Sequence, residues 1–162
     1  MVTGVDSVNI MPDMKAFILA AGVSRRLYPH TYDVPKCLLD VGGKPIIHYQ
    51  LEALESLGIL DITMVVGYYR EMLTNHVKQE FPNLNFHFII NYHYFETNTA
   101  YSIYIGRNRL SSKQILMNAD VVYPKELLKK VVNSSYETVL AVDIKSCGRE
   151  EVKVIDGGKI KS

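Results

Sequence analysis

An α/β fold is predicted for this 162-residue chain: a three-layer sandwich with a mostly parallel sheet and helices on both faces. Three observations predict it. Residues 16–20 are a continuous apolar run, too short for a typical helix and suited to a strand buried on both faces, and 61–66 and 85–90 read as further core strands. Segments with apolar residues three and four apart separate these runs. Gly22, Gly67, Asn91 and the group Asn118, Ala119 and Asp120 all fall at strand ends. Small and polar residues therefore collect at the strands' C-terminal ends, where parallel sheets bind ligands.

Taken in order, residues 1–13 lack periodicity and read as a flexible leader, leaving 14–162 as one domain. Residues 15–20 (KAFILA) form the first strand, and 23–35 a polar, basic loop. The run CLLDV at 37–41 predicts a short strand, and Gly42 and Gly43 a turn. Residues 45–57 predict a helix. Pro45 suits its start, Ile46, Ile47, Leu51, Leu54 and Leu57 share one face, and Gly58 suits its stop. Residues 61–66 are the second core strand. Residues 69–80 predict a helix with Met72, Leu73, His76 and Val77 at helical spacing, ended by Pro82. Residues 85–90 are the third core strand. After an irregular stretch, 99–109 predict a helix, 114–117 a strand, 125–132 a helix opened by Pro124, and 138–142 the last core strand. Residues 152–155 and 159–161 flank Asp156, Gly157 and Gly158 as a hairpin whose second strand is cut short. A chain that stops there leaves an exposed sheet edge, a place for a second copy to pair.

Composition narrows the function. The net charge of +1 gives no basic field for nucleic acid. No apolar run approaches the roughly 20 residues of a membrane span, and the N-terminus has no secretion pattern. Two cysteines, Cys37 and Cys147, make neither a disulfide framework nor a metal spacing, and predict reduced thiols in a cytoplasmic protein. The five histidines are scattered, which favours core or surface roles over ligation.

The stretch from Lys15 to Lys36 holds the chemistry. Ala20, Ala21 and Gly22 end a buried strand with residues small enough for a flat ligand to approach the backbone. Ser24, Arg25 and Arg26 then offer amide N–H groups and two guanidinium groups, and Lys36 stands behind Pro35 as a further charge. Amide donors and fixed positive charge are what a triphosphate needs. A buried strand followed by a solvated basic turn is the plainer alternative. Asp120, after the apolar run ILMNA, suits a Mg²⁺ ligand at the same edge or a carboxylate capping a turn.

The order of these pieces resembles a known family. Leu19-Ala20-Ala21-Gly22, Arg26-Leu27, Pro29, Thr31, Pro35-Lys36 and Gly43-Lys44-Pro45-Ile46 stand as in the nucleotidyltransferases that join a nucleoside triphosphate to a phosphorylated sugar or alcohol. Where that family usually has glycine and then Ser or Thr before the arginine, this chain has Ser24 and Arg25. The resemblance implies a Rossmann-like nucleotidyltransferase fold and a longer chain, so that this one lacks a C-terminal part. It also implies that Leu19 to Gly22, Ser24, Arg25 and Arg26 bind the nucleotide, that Arg26 and Lys36 are catalytic, and that Asp120 binds Mg²⁺.

The stretch ETNTAYSIY looks like the phosphocholine and inositol-phosphate cytidylyltransferases. In these, a lysine at the position of Lys153 reaches the acceptor phosphate; an outward-facing strand residue is the alternative. Asn98 and Thr99 would read a cytosine edge, or cap a helix. Tyr92, Tyr94 and Tyr101, with Phe95, Tyr104 and Tyr123, would surround a quaternary ammonium with Glu96 as counter-charge, or simply pack a helix on the sheet. The expected activity is transfer of CMP from CTP to a small phosphorylated alcohol. A sugar-1-phosphate enzyme using UTP, dTTP or GTP and a non-catalytic nucleotide-binding module are the alternatives.

Overall fold

A computed structural model describes residues 13–143 and the backbone of two short strands beyond them. The chain divides into two units, 1–125 and 126–162.

The first unit is built on a four-stranded parallel sheet: β1 (Lys15–Ala20), β2 (Asp61–Val66), β3 (Asn85–Ile90) and β4 (Gln114–Asn118), in the spatial order β3-β2-β1-β4. Helices α1 (Ile46–Ser56), α2 (Arg70–Glu80) and α3 (Thr99–Gly106) connect them. The order β3-β2-β1-β4 means that α1 and α2 cross in one direction and α3 returns in the other. Right-handed crossovers then put α1 and α2 on one face and α3 on the opposite face.

Alternation along the strands fits that division. Phe17 and Val65 form a buried cluster with Ala21, onto which Leu19, Ile89, Tyr94 and Ile105 pack; Ile105 belongs to α3. The alternate positions Ala16, Ile18, Ile62 and Met64 are fully buried as well, on the face of α1 and α2. Both sides of β1 and β2 are covered, which is why these strands read as unbroken apolar runs.

Two expected strands are corrected. Residues 37–41 form no ladder. Lys36–Leu38 is a turn of 3-10 helix, and Asp40 meets Pro45 in an isolated antiparallel bridge. The physical reason is local: the chain folds back across Gly42 and Gly43, the Val41 amide donating to the Lys44 carbonyl at 3.0 Å and the Ile46 amide to the Leu39 carbonyl at 3.1 Å. The Asp40 carboxylate also accepts from the Gly43 amide at 3.0 Å and closes a tight turn. Gly42 and Gly43 have φ of 66° and 94° there, which glycine adopts without strain. The run at 138–142, expected as the last core strand, is irregular as well. The helix expected over 99–109 ends at Gly106 and continues as a 3-10 turn, Arg107–Arg109.

The second unit contains most of α4 (Lys125–Val132) and an antiparallel hairpin of β5 (Ile155–Asp156) and β6 (Lys159–Ile160). Asp156 is thus a strand residue. No helix among the described residues is long and apolar enough to cross a membrane.

Helices α1 and α2 are joined by His48 and His76, whose Nε2 atoms lie 2.8 Å apart. Burial lowers the His48 pKa below its ordinary 6.5; His76 and Lys44 push the same way, while Glu80 and Glu52 oppose them. A lowered folded-state pKa means that the unfolded chain takes up the proton first, near pH 6.5. The contribution is therefore present above that pH and is lost as pH falls toward the folded value. Urea midpoints should drop between pH 7.5 and 5.5, and His48→Gln should flatten that part of the profile.

Candidate active site

The C-terminal ends of β1 and β4 open into a cavity of about 390 Å³. The strand order reverses between these two neighbours, and a reversal of this kind leaves a crevice in a parallel sheet. One wall is Leu19, Ala20, Ala21, Gly22 and Ser24. Pro35, Lys36 and Cys37 form a second, and Asn118, Ala119 and Asp120 a third. Asn91, Tyr94, Thr97, Asn98, Thr99 and Ser102 complete it.

The loop after β1 turns sharply at Ser24, whose φ of 55° lies in the left-handed region. That conformation costs a side-chain-bearing residue roughly 1–2 kcal/mol. Two hydrogen bonds to the Ser24 carbonyl offset it, from the Leu27 amide at 3.0 Å and the Thr31 hydroxyl at 3.1 Å. Thr31 is fully buried. The Tyr68 hydroxyl donates to the carbonyls of Thr31 and Tyr32 at 3.1 and 2.6 Å, tying the same loop to the end of β2. Arg25 and Arg26 lie exposed on the following 3-10 turn. The Arg25 guanidinium sits 4.6 Å above the Phe95 ring, a cation–π contact that limits where this long side chain goes.

Across the cavity, Lys36 Nζ donates to Asp120 Oδ2 at 2.8 Å, 84 residues apart in sequence. Both side chains are partly exposed. Beside Lys36, burial pushes the Cys37 thiol up to about 12, and the Asp120 charge adds to this. Cys37 is thus a packing residue in the wall and no nucleophile.

A third cluster shapes the far wall. Asn91 is buried at the end of β3. Its amide donates to the hydroxyls of Thr97 and Ser102 at 3.0 and 3.2 Å, and its carbonyl accepts from the His93 amide at 2.9 Å. Asn98 then caps α3, its side-chain carbonyl accepting from the Tyr101 amide at 3.2 Å. The capping alternative for Asn98 is therefore realised; the side-chain NH₂ is not used in the cap.

A model of the nucleotidyl transferase family matches residues 15–152 of this sequence. The chain belongs to that family. CTP:phosphoglutamine cytidylyltransferase of Campylobacter jejuni is 36% identical over 140 residues, which are 83% of this chain and 54% of that protein. Choline-phosphate cytidylyltransferase of Streptococcus pneumoniae is 33% identical over 130 residues, 80% of this chain and 55% of that one. Among solved structures, a CTP:phosphocholine cytidylyltransferase from Streptococcus pneumoniae superposes with a TM-score of 0.60 at 37% identity, covering 66% of this chain and 45% of that chain. The inositol-1-phosphate CTP transferase from T. maritima gives 0.66 at 25% identity, covering 75% and 49%. The chain spans about half the length of the curated relatives it matches.

Of the residues that the family pattern singles out, Leu19, Ala20, Ala21, Gly22, Ser24, Lys36, Asn98, Thr99 and Asp120 all line the cavity. Arg25 and Arg26 stand on the turn beside it. The tyrosines do not assemble as a set. Tyr94 lines the cavity, whereas Tyr92 is 71% exposed with the Arg70 guanidinium over its ring, and Tyr101 lies on α3 against His93 and Tyr104. Glu96 is exposed and reaches His93 at 4.0 Å. Tyr104 carries the Arg107 guanidinium over its ring. The Tyr123 hydroxyl points at the Met117 sulfur, and burial pushes it up to about 12. Lys153 lies outside the described residues.

Gln50 has no place among the sequence candidates, and Asn91 is placed there only by its position at a strand end. Asn91 was visible as a polar residue closing the apolar run NFHFII, but its three partners lie up to 11 residues away. Gln50 was visible as a polar residue on the buried face of α1, between Ile46 and Leu54.

Proposed function

We propose that this chain forms the nucleotide-binding part of a Mg²⁺-dependent cytidylyltransferase. It would transfer CMP from CTP to a small phosphorylated alcohol of the phosphocholine or inositol-phosphate type. The observation that carries the reading is Lys36 paired with Asp120 at 2.8 Å in the cavity that loop 19–24 also lines.

In this reaction an oxygen of the acceptor's phosphate attacks the α-phosphorus of CTP in line. The bond from the α-phosphorus to the bridging oxygen breaks, and pyrophosphate leaves with the electron pair. The acceptor phosphate is already nucleophilic, so no side-chain nucleophile is required, and catalysis is positioning and charge stabilisation. Small residues from Ala20 to Gly22 let the nucleotide lie against the backbone. Arg26, with a planar fork, suits the leaving pyrophosphate; Lys36, a point charge, suits the α-phosphate and the acceptor phosphate. The side-chain NH₂ of Asn98, left over from capping, suits the acceptor atoms of a cytosine edge.

Asp120 would hold the metal. It is one partly exposed carboxylate, a hard oxygen donor that leaves room for water and phosphate oxygens, as Mg²⁺ prefers. Among the described residues no group of three His, Cys, Asp or Glu side chains converges. This suits an ion held jointly with a nucleotide better than one held in a protein cage. When bound, the ion would supply positive charge to the triphosphate oxygens.

The test is thermal stabilisation by CTP, UTP, dTTP, ATP and GTP, each with and without Mg²⁺. Ligand at a hundred times its Kd adds about 2.7 kcal/mol, or roughly 5–10 °C for a chain of this size. The largest shift is expected with CTP and Mg²⁺. A larger shift with UTP, dTTP or GTP would move the reading to the sugar-1-phosphate branch. Binding with no pyrophosphate release would make the chain a nucleotide-binding module.

A further inference from the structure

We propose that Gln50 is a positioning residue for Asp120; the inference rests on the reading of Asp120 as the cation-binding carboxylate. Gln50 lies on α1 and is fully buried, beside Ile46, Ile47, Leu51 and Leu54. An apolar side chain would be ordinary at that place. The carboxamide instead donates both of its protons, to the carbonyl of Asn118 at 2.8 Å and to that of Val121 at 2.7 Å. Two carbonyl acceptors fix which end of the amide is NH₂.

Those two carbonyls bracket Asp120 in sequence. On the other side, the Ala119 amide donates to the Leu19 carbonyl at 3.0 Å. The short segment after β4 is thus tied to β1 by its own backbone and to α1 by one side chain. Its carboxylate is presented to Lys36 across the cavity mouth. Holding a charged ligand in place before the substrate arrives removes reorganisation from the reaction.

The other end of the same amide argues for a function beyond packing. Gln50 Oε1 is buried and has no hydrogen-bond partner among the described residues. A buried acceptor without a partner opposes folding. Leucine at this position would avoid that cost and keep most of the contact area. The residue type is matched to the 118 and 121 carbonyls at the expense of the core around it. Natural proteins keep such local conflicts mainly at functional sites.

The test compares wild type with Gln50→Leu in the full chain, by thermal shift in CTP with Mg²⁺ titrated, and by turnover. The expected result is a ligand-free Tm within a few degrees of wild type and an unchanged shift with CTP alone. The Mg²⁺ concentration for half of the metal-dependent shift should rise about tenfold or more, as supporting residues of metal ligands typically show. In turnover, kcat should fall by about the same factor with the KM for CTP unchanged. Gln50→Glu, kept protonated by burial and able to donate one hydrogen bond, should restore part of the metal response.

A Gln50→Leu protein with the wild-type Mg²⁺ midpoint overturns the proposal. So does a loss that affects metal-free CTP binding equally and follows Tm, since that is a structural role. If Gln50→Leu does not fold, Gln50→Met, with unbranched reach and no donor, replaces it; failure of both to fold also assigns Gln50 a structural role. If wild type itself shows no Mg²⁺-dependent shift with CTP, the reading of Asp120 fails and this inference with it. That outcome is seen before any Gln50 variant is made, so the two failures are distinguishable.

Discussion

Asp120→Asn should lower Mg²⁺-dependent CMP transfer about a thousand-fold, equivalent to roughly 4 kcal/mol of transition-state stabilisation. Asparagine keeps the volume of the side chain and a carbonyl that can still accept from Lys36. It loses the negative charge that a hard divalent cation needs. Stability should barely change, because the Lys36–Asp120 pair is partly exposed and ion pairs of that kind contribute about 0–1 kcal/mol. The variant carries a second expectation of opposite sign. Lys36 no longer faces a full counter-charge, so CTP binding without metal should be equal to wild type or tighter. Equilibrium dialysis with and without Mg²⁺ separates the two effects. Full transfer activity in Asp120→Asn would remove the metal assignment. Weakened CTP binding in the absence of metal would mean that Asp120 supports the loop rather than the cation.

The parts of the fold that were legible in the sequence are those decided by local pattern. Lys15–Ala20, Asp61–Val66 and Asn85–Ile90 appear as strands with the expected bounds; the first two are covered on both faces and so are apolar nearly throughout, whereas Asn85–Ile90, at the end of the strand order, is only partly buried. Residues 37–41 are also rich in apolar residues and form no strand, because a turn across Gly42 and Gly43 takes up their backbone groups locally. At the site, loop 19–24 and Lys36 were legible from motif order, and Asp120 from its place at the end of an apolar run. The positions of the tyrosines were not. Tyr92, Tyr94 and Tyr101 stand close in sequence, yet the turn held by Asn91 and the start of α3 point them into different surroundings. Gln50 marks the same limit. A polar residue on an apolar stripe signals that something is hydrogen-bonded, but only the fold shows that its partners bracket Asp120.

Gly67→Ala should destabilise the chain by about 2–3 kcal/mol, the upper range for adding a methyl group to a packed interior. Gly67 follows β2 directly. A Cβ built there would lie 2.7 Å from the Ala21 carbonyl oxygen, 2.7 Å from Tyr94 Cβ and 2.9 Å from Tyr94 Cγ. None of these is the far end of a flexible side chain, so relief requires a backbone to move. The Ala21 carbonyl also accepts from the Tyr68 amide at 3.1 Å and is anchored on that side. Relief toward β1 displaces the loop that begins at Gly22; relief toward Tyr94 displaces the opposite wall of the cavity. Both routes enlarge or distort the space where a nucleotide would lie. The Tm should therefore fall by roughly 5–10 °C, and the Kd for CTP should rise about tenfold in the protein that remains folded. Gly22→Ala is the control: a Cβ at Gly22 meets no atom within 4 Å, so the fold should tolerate it. A Gly67→Ala protein with wild-type Tm and CTP affinity would show that β1 and β2 do not approach closely at their C-terminal ends. The cavity would then owe its shape to the loops alone.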